Sequence, residues 1–144
     1  MKIVLQRVSR ASVTVDGQII GAIGGGYVVL LGIGQADTKN DVDRMIQKIK
    51  KLRLFPDAQG KTNLSISDVN GEILVVSQFT LYADCRKGNR PSFTEAALPE
   101  VAEMLYEYFI SASQPHFCGV AHGKFGAAMS VDLVNDGPFT VVID

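Results

Sequence analysis

The chain has 144 residues, 47% of them hydrophobic, with 14 basic and 15 acidic side chains and a net charge of −1. That size and apolar content specify one domain with a buried core and exclude a disordered chain. The near-neutral balance excludes attraction to nucleic acid through overall charge, and no apolar run approaches the roughly 20 residues of a membrane span.

Met1 to Arg7 carries charge inside its first apolar run and has no small-residue cleavage site, so it reads as a strand rather than a signal peptide. Along it Ile3, Leu5 and Arg7 alternate with Val4, Gln6 and Val8. Val13 to Val15 is again extended, and Asp16-Gly17 is a two-residue hairpin signal, since both residues tolerate the positive φ of a type I′ turn. Gln18 to Ile23 is the return strand. Gly24 to Gly26 makes a second turn or bulge, and Tyr27 to Ile33 is apolar enough for a strand buried on both faces. Residues 41–54 are helical, with Val42, Met45, Ile46, Ile49 and Leu52 on one face and Thr38 or Asn40 as N-cap. Residues 57–70 are polar and turn-rich, and Asn70-Gly71 opens a strand from Glu72 to Phe79.

A charged loop over 82–94 follows. The second helix runs from Pro99, a residue suited to a first helical position, to Ser113, with Val101, Leu105, Tyr108, Phe109 and Ala112 on one face. His116 to Ala121 is a short strand, Gly123 to Ala127 a Gly-rich linker, and two last strands flank Gly137-Pro138. The order predicts an α+β fold, a mostly antiparallel, barrel-like sheet with two helices packed outside, in a single domain over 1–144.

The chemistry-bearing patterns are few. Gly32-Ile33-Gly34 follows a strand and precedes a helix, but position 37 is Asp37 where a dinucleotide fingerprint needs glycine. His116, Cys118 and His122 lie close in sequence, yet only distant Cys85 could extend them to a metal set, so they read as a buried cysteine with two partly exposed histidines. The two cysteines make no disulfide framework, which places the chain in the cytoplasm by default. Of two basic clusters, Arg44 to Arg53 reads as the solvated face of a helix. Arg86, Lys87 and Arg90 sit in the loop after the next motif.

That motif is Ser77-Gln78-Phe79-Thr80-Leu81, polar side chains where an apolar strand emerges. Gln78 offers donors and an acceptor, and unpaired N–H groups of Phe79 and Thr80 would hold an oxyanion. Thr80 or Ser77 as nucleophile lacks an activating base. The second motif is Asn135-Asp136-Gly137-Pro138-Phe139-Thr140, which interrupts a strand-like ending with a residue of free φ and one of fixed φ.

Together these two motifs resemble the signature of the D-aminoacyl-tRNA deacylase family. Met1 to Val8, Asn89 to Phe93 and Gly123 to Met129 resemble that family too, so the likeness runs the length of the chain. The resemblance implies a cytoplasmic homodimer that hydrolyses the ester joining a D-amino acid, or glycine, to the 3′-terminal adenosine of tRNA, with no metal or other cofactor. It implies that Gly137-Pro138 is a cis-proline motif entering the partner subunit's active site. Ser77, Gln78, Phe79 and Thr80 would form the receiving wall, with Phe125 and Met129 lining the adenosine pocket. Arg86, Lys87 and Arg90 would contact the tRNA. Two other readings stay open: a paralogous deacylase with a trans Gly-Pro that removes L-alanine, and a non-catalytic RNA-end-binding module.

Overall fold

The structure, a computed structural model, describes all 144 residues. Its first strand, β1 (Lys2–Val15), organises the sheet. The hairpin turn at Asp16 and Gly17, with φ of 49° and 74°, returns the chain as β2 (Gln18–Ile23). The next strand, β3 (Gly26–Gly32), is buried on both faces, as its continuous apolar run requires. Helix α1 (Lys39–Lys51) is capped by Thr38 and buries Val42, Met45, Ile46 and Ile49. It ends earlier than its periodicity suggests. Residues Arg53–Pro56 form β4, which pairs with β5 (Thr62–Ser65) inside the region expected to be turns only.

Strand β6 (Glu72–Ser77) stops two residues short of the expected end, and Phe79–Tyr82 wind into a 3-10 turn. Helix α2 (Pro99–Ser113) has the expected bounds but a different face. It buries Ala102, Leu105, Tyr106 and Phe109, while Val101 is exposed. A 3-10 turn at Gln114–His116 replaces the start of the expected short strand, leaving β7 as Val120–His122. The last two expected strands are one, β8 (Ser130–Ile143), with its pairing to β1 broken at residues 136–139.

Strand β1 pairs antiparallel with β2, β3 and β8. The β3–β6 and β6–β7 pairs are parallel, so the sheet is mixed. In the order β2-β1-β3-β6-β7 the sheet curls until β2 meets β7, where a Cβ on Gly21 would sit 2.8 Å from the His122 carbonyl oxygen. The larger core lies between the sheet and the two helices. A smaller one, built on Val8, Val13, Val28 and Leu74, fills the inside of the curl. No helix is long and apolar enough to cross a membrane.

Candidate active site

The site forms where β6 ends. Ser77 lies opposite Leu31, and the Gln78 N–H donates to the Leu31 carbonyl at 2.8 Å as the last rung of that ladder. The chain then turns tightly across the end of β3, which two glycines permit. A Cβ on Gly32 would lie 3.1 Å from the Gln78 carbonyl oxygen, and one on Gly34 would lie 2.6 Å from the Tyr82 hydroxyl. The Gly32-Ile33-Gly34 run that fails as a nucleotide fingerprint is thus the seat of this turn. Asp37 has a structural duty as well. It accepts from the Gly34 N–H at 2.6 Å and from the Met1 amino group at 2.5 Å, and it faces the Tyr82 hydroxyl. Burial, and then the Asp37 carboxylate, push the Tyr82 phenol up to about 12.

Within the turn the first bonded N–H is that of Leu81, which donates to the Gln78 carbonyl at 3.2 Å. The N–H groups of Phe79 and Thr80 precede it and have no acceptor inside the turn. The Gln78 side-chain amide donates to the Thr80 hydroxyl.

Beside this turn opens a cavity of about 720 Å³. Ser77, Gln78, Phe79, Phe125 and Met129 all line it, although they come from two segments some 45 residues apart. Thr80 is not among its lining residues and is exposed. Phe93 closes one side, its ring edge-on to Phe79 with centroids 5.1 Å apart. Phe125 rests on Tyr106, whose buried hydroxyl donates to the Val75 and Gly123 carbonyls at 3.0 and 3.1 Å. Burial pushes that phenol well above its usual range.

The 135–140 turn is fixed by two side chains. The Asn135 Oδ1 accepts from the Phe139 N–H at 2.5 Å, and its amide donates to the Thr140 hydroxyl at 2.9 Å. Arg7 reaches across from β1. Its guanidinium donates to the Asp136 carbonyl at 3.0 Å and the Leu54 carbonyl at 2.6 Å, and lies 4.8 Å from the centre of the Phe139 ring. The Gly137–Pro138 peptide is cis. Both residues are exposed, and neither lines the cavity of its own chain.

The family model described as D-Tyr-tRNA(Tyr) deacylase matches residues 4–144. The chain belongs to that family. D-aminoacyl-tRNA deacylases of Thermosipho africanus and Chloroflexus aurantiacus are 52% and 56% identical to it, across all of this chain and 97% and 90% of theirs. A solved structure titled c-Myc DNA Unwinding Element Binding Protein superposes with a TM-score of 0.94 at 46% identity, covering 100% of this chain and 98% of that one. A probable eukaryotic D-amino acid tRNA deacylase at 15% identity shares the fold, with a TM-score of 0.87 over 99% of this chain and 97% of its own.

In this deacylase-family chain the three cations of the 82–94 loop differ from one another. Arg86 is locked on Asp84 through two contacts of 2.8 and 2.7 Å, while Lys87 and Arg90 are exposed and carry no ion pair. Cys118 is exposed rather than buried, because it sits at the bend before β7, where its N–H donates to the Gly71 carbonyl. No three His, Cys, Asp or Glu side chains converge as a metal site requires. Sequence reasoning passed over Gln35, Arg7 and Tyr106. Gln35 ties the end of β3 to the cavity wall by donating from its amide to the Thr94 carbonyl and from its N–H to the Glu95 carbonyl at 3.3 Å. Only Arg7 had left a signal, as a charge on the apolar face of its strand.

Proposed function

We propose that this chain is a D-aminoacyl-tRNA deacylase that works as a cytoplasmic homodimer and also accepts glycyl-tRNA. The observation that carries this reading is the single cavity on which Ser77, Gln78, Phe79, Phe125 and Met129 converge in a member of this family. The terminal adenosine occupies the apolar part of that cavity, near Phe125 and Met129. The ester carbonyl meets the N–H groups of Phe79 and Thr80, which stabilise the oxyanion as water adds. An aminoacyl ester is already activated, and the ribose 2′-hydroxyl assists the water, so the chain supplies positioning and N–H donors rather than a nucleophile.

Selection for chirality follows from exclusion. With the ammonium and the carbonyl both fixed, chirality alone decides where the side chain points. The Gly137 and Pro138 carbonyls of the partner subunit, held rigid through Asn135 and Arg7, fill the space an L side chain would need. A D side chain points to solvent whatever its identity, and glycine has nothing to exclude. Lys87 and Arg90, with Arg86 partly spent on Asp84, provide modest and salt-sensitive contact to the tRNA.

Comparing hydrolysis of D-Tyr-tRNA and L-Ala-tRNA tests the reading. The parent protein is expected to turn over the first and spare the second, and Asn135→Ala is expected to narrow that preference. The reverse preference would assign the chain to L-alanine removal. Tight binding of D-Tyr-tRNA without turnover would make it an RNA-end-binding module.

A further inference from the structure

The 14 basic residues are unevenly engaged. Arg7, Arg10, Arg44 and Arg86 form ion pairs with side chains. The other ten form none, and five of those ten, Lys48, Lys50, Lys51, Arg53 and Lys61, fall within one short stretch. On α1, Arg44, Gln47, Lys48 and Lys51 fall at helical spacings of three and four, so they make one stripe. Arg44, Lys48 and Lys51 are exposed, yet the stripe is more than a solvated helix face. It forms the wall of a groove of about 420 Å³, closed on its other side by Ile143 and Asp144 at the end of β8.

The groove's place in the sheet gives it meaning. Ile143 pairs with Ile3, Ile3 with Leu31, and Leu31 with Ser77. These four residues make one row across β8, β1, β3 and β6. Its ends are a lining residue of the groove and a lining residue of the catalytic cavity. Three strand spacings separate them, about 14 Å along the sheet. The row lies at the end of the sheet where the Phe79–Tyr82 turn is seated.

We propose that the groove between α1 and the end of β8 holds phosphates of the tRNA strand leading to the terminal adenosine, with Lys48, Lys51 and Arg44 as the contacts. This rests on the deacylase reading above, which sets the terminal nucleoside in the cavity. A chain leaving the cavity then has a positively charged path within reach of its first phosphates. Gln47, whose amide nitrogen lies 3.4 Å from the His116 Nε2, has a second N–H to offer. Two carboxylates oppose the three cations: Asp144 lines the groove, and Asp41 pairs with Arg44 at 3.0 Å through an exposed contact that a phosphate can replace, which leaves Lys48 and Lys51 as the cations without an ion pair. The ordinary role of cations in a last helical turn, favourable interaction with the helix dipole, accounts for Lys48 and Lys51 on α1 alone. It does not account for their sharing a groove with the neighbouring strand end.

The test uses the full chain with Lys48→Gln and Lys51→Gln together, which remove charge and keep length. Two substrates separate the effects: D-Tyr-tRNA, and D-tyrosyl-adenosine, which has no phosphate. The proposal expects kcat/KM on the tRNA to fall about tenfold at low salt, and its dependence on log salt to flatten by about 1.5, while the adenosine ester is unaffected. Equal loss on both substrates, or no loss on either, overturns it. Lys61→Gln, outside the groove, is the matched control and is expected to change neither rate. Binding of uncharged tRNA, followed by fluorescence anisotropy across salt, reads the groove independently of turnover. If neither ester is cleaved by the parent, the deacylase reading fails, and the anisotropy slope still decides whether this groove grips phosphate. Should the double variant unfold, Lys48→Gln alone is expected to give half the change in slope, and an unchanged slope there counts against the groove.

Discussion

Arg7 is a full positive charge on the inward face of β1, only 9% exposed, and its acceptors are two backbone carbonyls on different segments. Replacing it by methionine keeps most of the volume and strips the Asp136 and Leu54 carbonyls of their donor. A hydrogen bond from a charged donor contributes about 1.5–3 kcal/mol, less where water can replace it, as at the exposed Asp136. Arg7→Met is therefore expected to lower the urea midpoint by an amount equivalent to about 2 kcal/mol or more, with the slope unchanged. Thr80 is the opposite case. Its hydroxyl is exposed, receives the Gln78 amide, and has no base beside it. Thr80→Ala is expected to keep deacylation within about tenfold of the parent, since an unactivated hydroxyl is a weak nucleophile. A loss of several orders of magnitude would make Thr80 the attacking group.

Among the elements, α1 shows most directly how local chemistry becomes a pH effect. The Asp41 carboxylate accepts from the Thr38 hydroxyl at 2.8 Å and the Thr38 N–H at 2.9 Å, and it faces Arg44. These bonds, that from the Thr38 hydroxyl first, hold its pKa down at about 2, below the usual carboxylate range. Its folded-state value is depressed, so its contribution is present above the unfolded pKa and is lost as pH falls through that interval toward about 2. Asp68 and Asp84 are lowered too, by the Ser65 N–H and the Arg86 side chain respectively, and act in the same direction. Urea melts at falling pH are expected to show Asp41→Asn less stable than the parent near neutrality, with the gap closing toward about pH 2.

The same helix shows what periodicity conveys and where it stops. Val42, Met45, Ile46 and Ile49 were legible because burial repeats every three or four residues. The helix end was not, because Leu52 and Phe55 serve the core equally well from the turn and strand that follow. Tyr106 escaped notice for a related reason. The face read through Tyr108 is apolar too, and only contact with Val75 and Gly123 shows which tyrosine points inward. The break after Ser77 depends on Gly32 and Gly34, which lie far away in sequence, so no local pattern announced it.

For the molecule as a whole, the decisive fact is that the two motifs do not meet within one chain. Gly137 and Pro138 are exposed and line no part of the cavity that holds Ser77, Gln78 and Phe79. On the proposed reading the site is complete only when two copies face each other. Activity per chain is thus expected to fall on dilution, in step with the loss of dimer measured by light scattering. Constant specific activity in a demonstrably monomeric sample would remove the partner from the mechanism. Both motifs were legible through their joint resemblance to the deacylase family, since each alone reads as a strand end or a turn. That the two stay apart within one chain was implied by the same resemblance, which sets Gly137-Pro138 in the partner's site; no local pattern conveys it, since distance in space is a property of the ladder between β1 and β8.

That ladder has another consequence. Strand β8 is 14 residues long and pairs with β1 on one side only. A long, regular strand with a free edge is a template on which other chains can add and fibres can grow. Here the edge is broken in its middle. Residues 136–139 leave the β1 register, Pro138 has no N–H to offer, and Asp132 and Asp136 place charges along the strand. The turn that presents Gly137 and Pro138 therefore also limits self-association to pairings that tolerate a kink. A chain straightened there would lose more than the gate proposed for Gly137 and Pro138: it would gain an uninterrupted sticky edge.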